Sequence, residues 1–360
     1  MNLTPGTGEK APGKEPHAAP SALQRWGLGR WQLWIGIVFS LGFLWLALRN
    51  VNLKETVNVL GRVNELILGA AVASFVFSTA AKAILWQVLL SVRRPPSFSR
   101  AFSVLSVGLM VNAFLPARLG EFARAYLMGE AEADSKVYVL GTIAVEKVAD
   151  LLFLLFSLIV LLSQMALPEW LAGPARGTAL VLAILVPCFV LLAWQRDFIL
   201  RMMERASHFI TSAWWGWLVR QTRYGLTSLD VVRRPRLLIG LFGWSLIVWI
   251  LNALTNFLVF LALELTMPLW ASLLLLVVLQ VGTAVPSSPG RIGVFQYLVI
   301  LSLSIFAMNK NVALGYSIVL YLVIYVPIAL LGVWGLWHEK ITWGKITEAA
   351  VRFSEGRKSG

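Results

Sequence analysis

Two short stretches hold the residues best suited to chemistry. The first contains Asn112, Pro116, Arg118, Gly120, Glu121 and Arg124; the second contains Pro286, Ser287, Ser288, Pro289, Gly290, Arg291 and Gly293. Proline and glycine interrupt a helix and free backbone N–H groups. A helix that restarts after the break offers the partial positive charge of its N-terminus. With Arg118 and Arg291 alongside, each stretch predicts a phosphate cradle, because the guanidinium fork matches phosphate oxygens. The alternative is that proline and glycine only turn the chain and the arginines pair with acids.

A second group of charges lies inside otherwise apolar segments. Glu146, Lys147 and Asp150 fall within the run 137–165, and Lys82 lies near the middle of another. Glu146 is about ten residues into its run, or ~15 Å at helical rise. Glu146 and Asp150, four apart, share a helix face. These acids are candidates to balance the tip arginines, to bind a proton or to couple an ion; the competing role is a structural ion pair, such as Glu146 with Arg118. Lys82 either snorkels or faces a cavity.

The elements that carry these residues follow from composition. The 360 residues are 58% hydrophobic and 14% charged, and the mean hydropathy is +0.75. A soluble domain is closer to a quarter charged. The apolar residues form long runs at 33–48, 66–92, 137–165, 178–194, 237–263 and 312–337. Most reach the ~20 residues that a helix needs to cross ~30 Å of hydrocarbon. The runs 101–115 and 270–285 are only ~15 residues, or ~22 Å of helix. Each is followed by a Pro/Gly/Arg break and a second short apolar stretch, 119–129 and 292–308. That pattern predicts re-entrant hairpins whose broken backbone lines a cavity.

Net charge is +13. The positive residues lie between apolar runs, so they read as topology signals and lipid attraction rather than as a nucleic-acid surface. The linker 195–236 carries eight arginines (Arg196, Arg201, Arg205, Arg220, Arg223, Arg233, Arg234 and Arg236) against Asp197, Glu204 and Asp230, and is expected in the cytoplasm. Arg93, Arg94 and Arg100 point the same way. Both placements hold only if 101–136 makes an even number of crossings, and the same parity applies to 270–308. The expected fold is therefore an all-α polytopic membrane protein with about six full spans and two re-entrant hairpins, both termini cytoplasmic in an inner (cell) membrane. Residues 1–32 read as a disordered tail and 338–360 as a basic tail. Trp214-Trp215-Gly216-Trp217 predicts an amphipathic segment on the membrane surface. The lone Cys188 allows no internal disulfide, and His17, His208 and His338 form no metal cluster.

The hairpin tips resemble each other. Pro116-Ala-Arg118-Leu-Gly120-Glu-Phe122 and Pro289-Gly-Arg291-Ile-Gly293-Val-Phe295 share four of seven residues. Each follows two spans of its half and precedes a third, which divides the chain into repeats 33–165 and 178–337. An odd number of spans per repeat requires opposite insertion, the inverted plan of many transporters.

The set Asn112…Leu115-Pro116-Ala117-Arg118-Leu119-Gly120-Glu121…Arg124, then Glu146-Lys147…Asp150, then Pro286-Ser287-Ser288-Pro289-Gly290-Arg291-Ile292-Gly293-Val294-Phe295 resembles the flippase-like family that includes the transmembrane region of lysylphosphatidylglycerol synthase. Lys82…Trp86 fits a basic-then-Trp pattern of its early span. In two places the chain departs from the pattern: Lys147 stands where arginine is expected, and Arg291 where a second glycine is common. The resemblance implies movement of an anionic or lipid-linked head group between leaflets, without a cofactor. Bifunctional members carry an aminoacyltransferase domain. About 23 residues follow the last run here, and no soluble segment is large enough for such a domain, so this chain is not expected to aminoacylate lipid. Two other expectations compete: an accessory protein that binds a lipid or envelope-glycan synthase through its basic linker, and an intramembrane transferase using Glu146 or Asp150 as base.

Overall fold

The computed structural model describes residues 30–49, 51–115, 119–164, 169–207, 212–282, 289–341 and 344. The fold is all-helical, with no strand among these residues. The first six helices are α1 (Arg30–Leu48), α2 (Leu53–Leu60), α3 (Glu65–Leu90), α4 (Phe98–Phe114), α5 (Leu119–Ala131) and α6 (Lys136–Gln164). There follow α7 (Glu169–Trp194), α8 (Arg196–Ala206), α9 (Ala213–Thr227), α10 (Asp230–Arg233) and α11 (Pro235–Ala262). The chain ends with α12 (Leu269–Gly282), a 3-10 turn at Pro289–Arg291, α13 (Val294–Ser304) and α14 (Lys310–His338).

Helix starts carry the expected capping chemistry. Asn64 accepts from the Leu66 and Ile67 amides at the start of α3, and Ser97 from Arg100 at the start of α4. α11 opens with Pro235, where a missing N–H costs nothing. Among the described residues, four segments are long and apolar enough to cross a membrane: Glu65–Leu90, Arg176–Trp194, Pro235–Ala262 and Lys310–His338. The runs 33–48 and 137–165 are the helices α1 and α6. α7 begins at Glu169, earlier than its apolar run, and α1 at Arg30, inside the segment expected to be a tail. The sequence runs also overlooked α2 and divided the linker 195–236 less finely than its three helices. Those short helices are polar or amphipathic and leave no long apolar signature.

The central helix pair is α3 and α11. Asn64 N–H donates to Ala262 O, Thr255 Oγ1 donates to Ser74 Oγ and Ser78 Oγ donates to Val248 O, so rising numbers on α3 meet falling numbers on α11. The corresponding second long helices of the two sequence repeats are therefore antiparallel. Small and hydroxyl residues let the backbones approach, which is how helices pack when lipid removes the hydrophobic drive between them.

The pieces α4–α5 and α12–α13 are helical hairpins that start from opposite ends of that pair, because each leaves the C-terminus of an antiparallel partner. Both ends of the first hairpin stay at one end of the bundle. Arg93 pairs with Asp134, and Arg100 Nη1 donates to Glu132 at 2.7 Å. The same end gathers the other basic segments. Arg93 lies over the rings of Tyr138 and Tyr224, Arg234 donates to Val92 O, and Ser103 Oγ donates to Glu339 at 2.5 Å. At the opposite end, Lys310 Nζ donates to Leu46 O at 3.0 Å, and the Asn52 amide to Asn311 Oδ1 at 2.9 Å.

Candidate functional site

In the first hairpin, Asn112 Oδ1 accepts from the Gly120 amide at 2.8 Å and so spans the break between α4 and α5. A Cβ at Gly120 would run into the Gly108 carbonyl and the Asn112 side chain, and one at Gly108 into the stem of Arg124. The close approach therefore requires glycine at both positions. Pro116 and Arg118 lie outside the described residues, as do Pro286, Ser287 and Ser288 of the second tip.

One turn beyond Gly120, Arg124 is buried, with 3% of its side chain exposed. Its Nη2 donates to Glu146 Oε2 at 2.7 Å and its Nη1 to Oε1 at 3.4 Å. The guanidinium sits 4.1 Å from the Trp86 ring centroid, and Trp86 Nε1–H donates to Thr142 Oγ1 at 3.2 Å. Glu146 thus pairs with Arg124 on α5, and Arg124 belongs to the wall of the site rather than to its lining. Lys82 does not turn away to snorkel. Its ammonium lies 3.1 Å from Glu146 and 3.2 Å from Asp150. Lys147 reaches Glu121 at 3.4 Å and Asp150 at 4.0 Å. α3, α5 and α6 are thereby joined by one chain of alternating charge, which a low-dielectric interior tolerates only when such charges are paired.

The second tip is built differently. Gly290, Arg291 and Gly293 have φ of 76°, 55° and 91°. The Tyr321 hydroxyl donates to Gly290 O at 2.9 Å, and the Gly293 amide donates to Gln296 Oε1 at 2.7 Å, fixing the start of α13. A Cβ on Gly293 would strike the backbone of α1 at Ser40 and Leu44, so glycine here lets α1 dock on the tip. Arg291 reaches the Tyr325 hydroxyl, and no carboxylate among the described residues pairs with it.

The two tips meet at one cavity of about 290 Å³. Asn112, Glu121, Lys82, Lys147, Asp150 and Arg291 all line it. It sits halfway along the long helices, touching α3 at Phe75 and Lys82, α6 at Lys147 and Asp150, and α14 at Ile324 and Ile328. Gly120, Gly290, Pro289 and Gly293 shape the backbone around it without lining it. Sequence reasoning missed Asn252, Thr255, Asn256 and Gln280, which supply a polar wall from α11 and α12. Their signal was available: Asn252 and Asn256 are four apart in an apolar helix, where an unmatched amide is costly. Asn256 Nδ2 donates to Ser272 O at 3.1 Å, which ties α11 to α12. Counting Arg124 and Glu146 behind the wall, four cations face three acids among the described residues, and Arg291 is the one of these cations that no described acid pairs.

Residues 33–332 match the family described as the lysylphosphatidylglycerol synthase TM region. The chain belongs to this family. It is also similar to the UPF0104 membrane protein MJ1078 of Methanocaldococcus jannaschii, at 25% identity over 228 residues, which are 62% of this chain and 92% of that protein. No solved structure matches. In this member of the lysylphosphatidylglycerol synthase TM region family, both Pro/Gly/Arg motifs and the Glu146-Lys147…Asp150 group fall inside the matched segment, with described residues of each at one cavity.

Proposed function

We propose that the chain is a membrane lipid translocator that carries an anionic phospholipid or lipid-linked head group between leaflets. The observation that carries this reading is the mid-length cavity where both hairpins converge, with Arg291 as a cation that no carboxylate among the described residues pairs. A head group sets the barrier to crossing hydrocarbon, and a polar cavity at that depth lowers it. In this reading α1, α3, α6, α7, α11 and α14 cross the bilayer. The hairpin α4–α5 enters from the cytoplasm and α12–α13 from outside. The end that gathers Arg93, Arg94, Arg100 and the linker 195–236 is cytoplasmic, in the cell membrane, with both termini on that side.

Arg291 and Lys147 would hold the phosphate, and the amides of Asn112, Asn252 and Gln280 would take its polar substituents. Glu121 and Asp150 keep the lysines oriented when the cavity is empty. The antiparallel α3–α11 pair supplies the axis about which the two repeats rock, exposing the cavity to each leaflet in turn.

The test is leaflet exchange of a fluorescent anionic phospholipid in vesicles containing the purified protein. Arg291→Ala and Lys147→Ala are expected to slow exchange at least about tenfold, the rate equivalent of ~1.4 kcal/mol, with insertion into the vesicles unchanged. Wild-type rates in both variants would remove the cradle. No exchange by the isolated wild-type chain, together with co-purification of a lipid or glycan synthase, would instead favour the accessory role.

A further inference from the structure

We propose that the groove between α3 and α14 holds an acyl chain of the lipid whose head group enters the central cavity, and that this seam is its lateral gate. The proposal rests on the translocator reading and adds the place where the lipid tail lies. The groove has a volume of about 750 Å³ and is lined by Val72 and Val76 on α3 and by Leu322, Val326, Pro327 and Leu330 on α14, among others. Glu65, at the first turn of α3, is the one charged residue lining it among the described residues. Any spanning helix shows an apolar face to lipid; this face is distinguished by being concave and by its neighbour.

The groove and the polar cavity share one wall. On α3, Phe75 lines the cavity while Val72 and Val76 line the groove. On α14, Ile324, Tyr325 and Ile328 line the cavity while Val323, Val326 and Pro327 line the groove. A lipid straddling this seam would have its head group among charges and amides and its tail among branched aliphatic side chains. From Ile318 to Leu331 the groove follows about 20 Å of helix, comparable with the ~15 Å of hydrocarbon in one leaflet.

The corresponding seam of the other repeat, between α11 and α6, is filled. Phe153 stacks on Trp249 with centroids 6.2 Å apart and lies 6.3 Å from Phe242. Trp249 is buried with Leu154, Leu158 and Leu274. One seam is closed by aromatic rings and its counterpart is open, so the repeat relation singles out α3–α14 as the door. Pro327 stands inside α14 at the level of the shared wall. It has no N–H for the Val323 carbonyl, so α14 can bend there without losing a further hydrogen bond.

The experiment uses the full chain in vesicles of phosphatidylethanolamine and phosphatidylglycerol that contain a trace of phosphatidylglycerol carrying a photoactivatable diazirine on its acyl chain. Adducts are mapped by mass spectrometry. The proposal expects adducts concentrated on the segments around Val72–Val76 and Leu322–Val326, well above those on the exposed face of α7 formed by Leu180, Val181, Ile184 and Leu185. It also expects Val72→Trp combined with Leu322→Trp to abolish the groove adducts and slow exchange, with no change on α7. Adducts spread evenly over all lipid-facing helices, or unchanged in the double variant, would overturn it. The two readings fail separately. Groove adducts with exchange unaffected by Arg291→Ala would sink the cradle alone. Exchange that depends on Arg291 without groove adducts would sink the gate alone.

Discussion

Arg124 and Arg291 lie in equivalent halves and have different fates. Arg124 is spent on Glu146 in a buried, bidentate pair backed by Trp86. Breaking such a pair leaves a bare charge, so Glu146→Gln is expected to cost about 3–5 kcal/mol, read as a fall in the thermal midpoint in detergent. Replacing both partners with apolar residues, Arg124→Met with Glu146→Leu, should cost less than either single change. Arg291 has no such partner among the described residues and occupies left-handed backbone at φ 55°. That conformation costs a side-chain-bearing residue roughly 1–2 kcal/mol. Arg291→Gly is therefore expected to leave the protein as stable as wild type or about 1 kcal/mol more so, while lowering lipid exchange as Arg291→Ala does. A gain in stability with loss of exchange would mark strain retained for function.

At the scale of elements, the linker helices α8 and α10 are clamped to each other by charge. Asp197 receives hydrogen bonds from Arg233 Nη1 at 2.7 Å and Arg196 Nε at 3.0 Å, and Arg196 also pairs with Asp230. The hydrogen bond from Arg233, then that from Arg196, holds the Asp197 carboxyl below the usual carboxylate range. With the folded pKa lowered, its contribution is complete at neutral pH and is lost as the pH falls through that lowered pKa. Amide exchange in α8 and around Arg233 should therefore stay flat from pH 8 to 5, on correcting for intrinsic rates, and rise only below about 4. Asp197 is half exposed, so the change should be modest and should shrink further in high salt. On the same elements Phe198, Met202, Trp214 and Trp217 are exposed beside Arg201, Arg205 and Arg220. Trp215 instead turns inward, its Nε1–H donating to Met203 O at 3.3 Å. This places apolar and basic groups together as a surface-lying amphipathic segment requires.

For the whole molecule, the decisive feature is that the two hairpins start from opposite ends of an antiparallel helix pair and finish at one cavity. If the bilayer girdles that pair, cysteines at the two ends must react from opposite sides. In a Cys188→Ser background, Arg205→Cys is expected to be labelled by an impermeant maleimide only from the cytoplasmic face. Lys54→Cys, beside the Asn52–Asn311 contact, is expected to be labelled only from outside. Labelling of both from one face would remove the six-span, two-hairpin topology.

The amino-acid order by itself determined the all-helical class, most helix positions and the two broken tips, because run length, proline and glycine act locally on the backbone. It also singled out Lys82, Glu146, Lys147 and Asp150 as charges within apolar runs, and family membership follows from it as well. Only the tertiary structure decided that Arg124 neutralises Glu146; Arg118 lies outside the described residues. It likewise decided that Asn252, Asn256 and Gln280 complete the cavity and that Arg291 is left over. Ion pairing depends on which helix faces meet, and a chain of charges spread over α3, α5, α6 and the second tip has no signature until packing sets those faces a few ångströms apart.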